Sequence, residues 1–302
     1  MIPTLLLATL VVFLLQRLIP GSPEAAIAGE YATPERLAEI RAELGLDRPL
    51  YTQYLDWVFG AFTGDLGTSL HSNSPVLPVI MDRLPITLLL TTLALLVAIV
   101  IGLPAGVWAA SRHGTKTDQV MTSAATLGLA VPSFWLGMMM ILLFANQLQW
   151  LPGPGGVGLS EDPVAALKGL IMPSIALGVV GAAEICRQVR SAMIEDLSSD
   201  HVRTHHAKGL ANRAVVWRHS LKNSSLPLAT IIGLQVSRLI GSAVVVESVF
   251  GLAGIGTLVV DATNQRDYPL IQAVVFVAAI LVLVTNLIVD VAYRIIDPRI
   301  SA

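Results

Sequence analysis

The chain has 302 residues, of which 54% are hydrophobic and only 13% charged, and its formal net charge is -2. Soluble domains carry about 25% charged residues, so the composition excludes an ordinary soluble domain and places the chain in the membrane class. The single cysteine, Cys186, excludes an internal disulfide framework and any multi-cysteine zinc or iron–sulfur site.

A membrane-crossing helix needs about 20 mostly apolar residues, because every backbone polar group must be satisfied within the segment. Six stretches reach or approach this length: residues 1–18, 86–111, 120–147, 171–193, 226–250 and 270–293. The first, MIPTLLLATLVVFLLQRLIPG, has no basic residue ahead of it and no clear small-residue cleavage site, so it is expected to be a retained span rather than a signal peptide. Residues 19–85 follow as a connection with more acidic than basic groups. Within YATPERLAEIRAELGLDRP, Thr33 suits a helix cap, Pro34 the first helical position and Gly45 the stop, with Leu37, Ile40 and Leu44 on one face. PLYTQYLDWVFGAF adds a second amphipathic piece. The connection between spans three and four, QWLPGPGGVGLSEDPVAALKG, reads as a Gly/Pro-rich loop with one short helix, and GLAGIGT after span five reads as a turn.

Lysine and arginine near span ends set orientation. Arg112 and Lys116 lie between spans two and three; Arg187, Arg190, Arg203, Lys208, Arg213, Arg218 and Lys222 lie at or between spans four and five; Arg294 and Arg299 lie in the tail. These connections are expected on the cytoplasmic side, with residues 19–85 outside and both termini inside.

The chain has no G-x-x-x-x-G-K-[ST] phosphate loop, so it shows no means of hydrolysing ATP itself. None of its six histidines falls inside an apolar stretch, which argues against an intramembrane Ser–His hydrolase. Ionisable groups within spans are few: Glu184, Arg238, Glu247 and Asp290. Each reads either as a structurally paired or snorkelling group or as part of a transport path. A self-contained secondary transporter or channel is the competing class.

The basic segment SSDHVRTHHAKGLANRAVVWRHSLKNSSLP spans residues 198–227. Asp200 suits the cap of a short helix that Gly209 ends, and Asn212 suits the cap of a second helix running to Pro227. Two readings stand side by side: a positive-inside loop touching anionic lipid, or a surface that docks into a groove of another protein. His201 and His205 have the i, i+4 spacing of helical metal ligands, but no carboxylate or cysteine completes a site, and no metal is expected.

These residues resemble the inner-membrane permease subunits of ABC importers for dipeptides and oligopeptides. Val202, Arg203, Thr204, Ala207, Lys208, Gly209, Leu210, Arg218, His219, Leu221, Asn223, Leu226 and Pro227 match that family's EAA loop, while His201, His205 and His206 depart from it. LGLDRPLYTQYLDWV, GDLGTSL, RLPITLLL, PSFWLG, ESVFGLAGIGTLVVDATNQRDYPL and NLIVDVAYRIIDPRI extend the likeness along nearly the whole chain, with Ala253 where a proline is usual. Family members ordinarily start several residues earlier with arginines, so a shortened N-terminus is expected. Nickel and glutathione importers look similar, so the likeness is more specific for the permease class than for the cargo.

The resemblance implies an all-α integral membrane protein of six transmembrane helices: a first helix over 1–18, a small extracytoplasmic helical segment over 19–85, and an importer domain over 86–302 with a cytoplasmic coupling helix over 200–209. It implies a plasma-membrane permease without catalytic activity or bound cofactor. The expected partners are a second permease subunit, two ATP-binding subunits that use ATP and magnesium, and an extracytoplasmic substrate-binding protein. ATPase coupling is assigned to Asp200, Val202, Arg203, Thr204, His206, Ala207, Lys208, Gly209 and Leu210. The substrate path is assigned to Gln235, Ser237, Arg238, Ser242, Glu247 and Asn286. Gly102 with Gly106, Gly178 with Gly181, and Gly233 with Gly241 are expected to let helices approach closely.

Overall fold

The structure, a computed structural model, describes residues 2–16, 24, 28, 33–43, 45–158 and 161–296. The expected end of the first span at 17–18, Leu44, most of 19–32 and the tail with Arg299 lie outside the described residues. In chain order the helices are α1 (Ile2–Gln16), α2 (Pro34–Glu43), α3 (Leu50–Thr63), α4 (Val76–Ser111), α5 (Lys116–Ala130), α6 (Ser133–Gln147), α7 (Pro163–Leu197), α8 (Asp200–Ala207), α9 (212–223), α10 (Ser225–Phe250), α11 (Ile255–Gln265) and α12 (Tyr268–Ile296). Four of them are long and apolar enough to cross a membrane, and α5 with α6 make a fifth if the bent pair counts as one span. The protein is therefore an all-helical, multi-pass membrane protein. At 15 residues, α1 reaches about 22 Å, short of the roughly 30 Å of hydrocarbon.

The chain divides into two compact units. The first comprises residues 1–86 and 253–283. Its local signals behave as the sequence predicts: the Arg36 N–H donates to Thr33 Oγ1 at 3.3 Å, and Gly45 ends α2 at φ +64°. Leu5, Ala61, Leu66, Val76, Ile80, Ala262 and Phe276 form its core. Asp267, only 1% exposed, accepts the Ser69 hydroxyl at 2.5 Å and the Leu70 N–H at 3.2 Å, tying residues 69–70 to the start of α12. GLAGIGT is more than the expected turn. Gly251 closes α10 in the left-handed region at φ +60°, and Ile255 already begins α11.

The second unit comprises residues 87–252 and 284–302. Its centre is α7, which packs against α5, α6 and α10. Asp162 caps α7 by accepting from the Val164 and Ala165 N–H groups at 2.9 and 3.0 Å, and Pro163 follows. The short helix expected in the preceding loop is thus the first turn of α7 itself. Against α4, the approach is too close for any side chain. A Cβ on Gly102 would lie 2.5 Å from the Ala182 carbonyl oxygen, one on Gly106 2.6 Å from that of Cys186, and one on Gly178 2.6 Å from that of Ala94. A Cβ on Gly233 would lie 2.6 Å from the Val289 side chain, whereas Gly241 has nothing within 4 Å.

One predicted span is not continuous. Residues 120–147 divide into α5 and α6, bent by 93°. The cause is local: Pro132 has no N–H to donate, and its ring drives the preceding residue out of the helical region. Val131 accordingly sits at φ -87°, ψ 120°. Beyond Met140 the chain winds on as a π-helix over Ile141–Gln147. The proline at Pro85 has no such effect, since α4 runs through it and begins at Val76, ten positions before the predicted start.

The beginning of α5 is bolted to α7. Asp118, 3% exposed, accepts Arg190 Nε at 2.6 Å and Nη2 at 2.8 Å, the Gly114 N–H at 3.0 Å and the Thr122 hydroxyl at 3.3 Å, with His113 Nδ1 at 3.2 Å. A bidentate guanidinium on a buried carboxylate fixes direction as well as distance.

Candidate coupling surface and transport cavity

Two groups of residues in the second unit carry the functional expectations. The first is the hairpin of α8 and α9. Ser199, not Asp200, occupies the cap position of α8, and Asp200 falls in its first turn. Gly209 ends the helix as expected, at φ +78°, with its N–H on the His206 carbonyl at 2.9 Å and the Leu210 N–H on that of His205 at 3.2 Å. Ala211, not Asn212, caps α9, whose middle is a π-helix over Val215–Ser220.

The hairpin sorts the predicted coupling residues by direction. Asp200, Arg203, Thr204, His206, Ala207, Lys208 and Gly209 are exposed, and Leu210 is half-buried. Val202 is not available for docking, because it is 4% exposed and points into the protein. The Arg203–Asp200 pair, 3.1 Å apart, is highly solvated and contributes little.

Two of the three histidines that depart from the family pattern now have a place. His205 stacks on His219 of α9 with ring centroids 4.3 Å apart, and His201 meets His205 edge-on at 6.0 Å. His201 also lies 2.7 Å from Ser199 Oγ through Nδ1 and 3.4 Å from Asp196 through Nε2. Asn223 donates to the same Asp196 Oδ1 at 2.9 Å. This polar brace joins the end of α7, α8 and the end of α9. His206 faces outward.

Partial withdrawal from water holds the His205 imidazole below its ordinary 6.5, helped by the neighbouring His219, His201, Lys208 and His206. The brace therefore favours neutral His205. A displaced α8 binds the proton more readily, so this contribution is present above about pH 6.5 and is lost as pH falls below it. Amide exchange across residues 200–207, corrected for intrinsic rates, should show lower protection at pH 5.5 than at pH 7.5, and His205→Gln should remove the difference.

The second group lines a cavity of about 300 Å³ between α6, α7 and α10, bordered by Ser133, Gly181, Glu184, Gln235, Arg238 and Ser242. Of the predicted path residues, Gln235, Ser237, Arg238 and Ser242 come together here. Glu247 does not: it is fully buried and accepts the Thr87 hydroxyl at 2.6 Å, as part of the α4–α10 packing. Asn286 is exposed away from the cavity lining. Arg238 pairs with Glu184 of α7 in the same chain. Ser133 reaches the lining because the proline break starts α6 there, and the Pro-Ser step in VPSFW is the sequence signal for it. The side chain of Asp290 lies outside the described residues.

A family model described as "Binding-protein-dependent transport system inner membrane component" matches residues 102–302, and its N-terminal counterpart matches residues 1–91. The chain is 39% identical to a dipeptide transport system permease protein of Alkalihalophilus pseudofirmus, over all of this chain and 96% of that one. It is 41% identical to a probable peptide ABC transporter permease of Sinorhizobium fredii, covering 96% of this chain and 92% of the relative. A dipeptide transport system permease protein of Escherichia coli is 37% identical, covering 99% and 95%. Among solved structures, the inward-facing methionine transporter MetNI has a chain that matches with a TM-score of 0.60 at 19% identity, covering 72% of this chain and 96% of that one. That likeness is one of fold.

Proposed function

Because this chain belongs to the binding-protein-dependent transport system inner membrane component family, we propose that it is one permease subunit of an ATP-driven importer of dipeptides and oligopeptides. A second permease subunit completes the path, and two ATP-binding subunits spend ATP and magnesium, this chain holding no cofactor of its own. An extracytoplasmic binding protein delivers the peptide. Both termini and the α8–α9 hairpin face the cytoplasm.

The observation that carries the mechanism is the hairpin itself. It turns an exposed face outward while Val202 points inward, His205 on His219 holds α8 to α9, His201 on Asp196 holds α8 to α7, and Asn223 on Asp196 ties α9 to α7. A groove on an ATPase subunit can seat the exposed face over residues 200–210. When the ATPase pair closes on ATP, α8 is displaced and the brace passes the motion to α7, against which α10 packs. Two arrangements of the spans are then biased by differential binding at one cytoplasmic surface.

The test is reconstitution in liposomes. The complete complex should accumulate labelled dipeptide only with ATP inside the ATPase compartment and with the binding protein present. Uptake driven by an ion gradient, with this chain as the sole protein, would reject the reading in favour of a secondary transporter.

A further inference from the structure

We propose that the cavity between α6, α7 and α10 is a subsite for a zwitterionic short peptide, in which Arg238 takes the carboxylate, Glu184 the ammonium and Gln235 the amide between them. The proposal rests on the peptide-importer reading and names the part of the ligand that this chain reads.

Three observations point to a ligand. Gln235 is 3% exposed, and its side-chain amide has no partner among the described residues although it borders the cavity. The amide atoms are not sealed in the interior, so the hydrogen bonds they do not make within the protein are open to whatever occupies the cavity. Next, the Arg238–Glu184 pair joins two apolar helices, yet the Arg238 side chain is 58% exposed and the Glu184 side chain 23%. Charges within spans are costly and usually line a path or pair with one another; here both descriptions apply. Finally, Ser133, Ser237 and Ser242 add hydroxyls around the same space.

Charge balance selects the ligand class. The wall carries one fixed positive and one fixed negative group, already satisfied by each other. An anion entering alone would pair with Arg238 and strand Glu184, and a cation would do the reverse. A zwitterion replaces one ion pair by two and strands neither group. The unpartnered amide of Gln235 selects, among zwitterions, one with a peptide group. Size sets the upper bound: the cavity lies at the low end of small-molecule sites, which run from about 300 to 1,000 Å³. Two extended residues span at most about 7 Å, within reach of an arginine that swings away from its carboxylate partner. Because only the termini and one amide are read, the side chains of the peptide are left free to vary.

The experiment measures equilibrium binding to the complete transporter in nanodiscs without its binding protein. The probes are labelled dialanine, dialanine amide and N-acetyl-dialanine. Arg238→Gln should weaken dialanine by about tenfold or more, since a charge-assisted contact to the carboxylate is removed, and should strengthen dialanine amide, since Glu184 no longer has to leave an ion pair to take the ammonium. Glu184→Gln should weaken dialanine and its amide alike and strengthen N-acetyl-dialanine, whose carboxylate then meets an Arg238 freed from its ion pair. Arg238→Lys keeps the charge but not the planar fork, so it should recover only part of the dialanine affinity that Arg238→Gln loses. Equal losses for all probes, unchanged dialanine affinity in both glutamine variants, or no dialanine binding up to about 10 mM by a complex that imports it would each overturn the subsite. Failure of the importer reading registers separately, as absence of ATP-driven dialanine uptake by the wild-type complex with its binding protein present, and the subsite then falls with it.

Discussion

Gly209→Val should abolish ATP-driven peptide uptake, to below about a tenth of the wild-type rate, while the protein still inserts in the membrane. Nothing lies within 4 Å of the position a Cβ would take at Gly209, so steric contact is not the reason. The reason is the backbone: φ is +78°, where L-residues pay roughly 1–2 kcal/mol and a β-branched residue is a genuine outlier. Relief comes by unwinding the end of α8, which removes the N–H contacts of Gly209 and Leu210 to the carbonyls of His206 and His205. The exposed face over 200–210 then loses its shape just where the proposed coupling needs an ATPase groove to seat it. Asparagine enters the left-handed region more readily, so Gly209→Asn should retain most transport. ATPase activity and uptake measured in parallel on reconstituted complexes decide the matter. Wild-type uptake in Gly209→Val, or equal loss in both variants, removes the assigned role of this turn.

Gly106→Leu should cut the yield of assembled protein by about tenfold or more, read by size-exclusion chromatography of the detergent extract. Here space is the whole argument. The first added carbon would stand 2.6 Å from the Cys186 carbonyl oxygen and 2.7 Å from Val189 Cβ, distances that real Cβ atoms do not adopt. Backbone cannot rotate out of the way as a side-chain tip can, so α4 and α7 must separate along a contact that also includes Gly102 and Gly178. Overpacking by single methylenes costs about 1–3 kcal/mol, and leucine adds four carbons. Gly169 provides the control within α7, because nothing lies within 4 Å of its Cβ position. Gly169→Leu should leave the yield unchanged or raise it slightly, given that leucine is the better helix former. A Gly106→Leu protein that assembles and transports normally would mean that the two helices are not held at this spacing.

Much of the helix plan was legible because it rests on local chemistry. Thr33 and Gly45 cap and end α2, Gly251 ends α10, and Gly209 ends α8, each through a backbone rule that operates within a few residues. The glycines at 102, 106 and 178 were readable as close contacts, since little else explains small residues spaced along an apolar face. Other features depend on partners distant in sequence. Glu184 and Arg238 each stand out as charges in apolar stretches, but their pairing across 54 positions is a property of how α7 meets α10. Glu247 looks the same as Arg238 in one dimension, and only its burial against Thr87 separates a packing group from a cavity group. Val202 likewise belongs to a docking motif by sequence and to the interior by geometry. The bend at Val131–Pro132 was missed because an apolar count over 120–147 is blind to a single proline, although that proline had already stated the break.

That bend gains a further meaning from the Asp118 cluster. With Asp118 bound by both arms of Arg190 at one end of α5, and Gly128 near the other packed so closely that a Cβ on it would lie 3.1 Å from Ala183 Cβ, α5 and α7 form a single stiff plank. Flexing α6 against that plank at Pro132 breaks no backbone hydrogen bond from residue 132, because proline has none to donate. The molecule thus has a joint with a low elastic cost next to Ser133, on the rim of the cavity. The span's resistance to motion is set less by its own helix than by what packs around it.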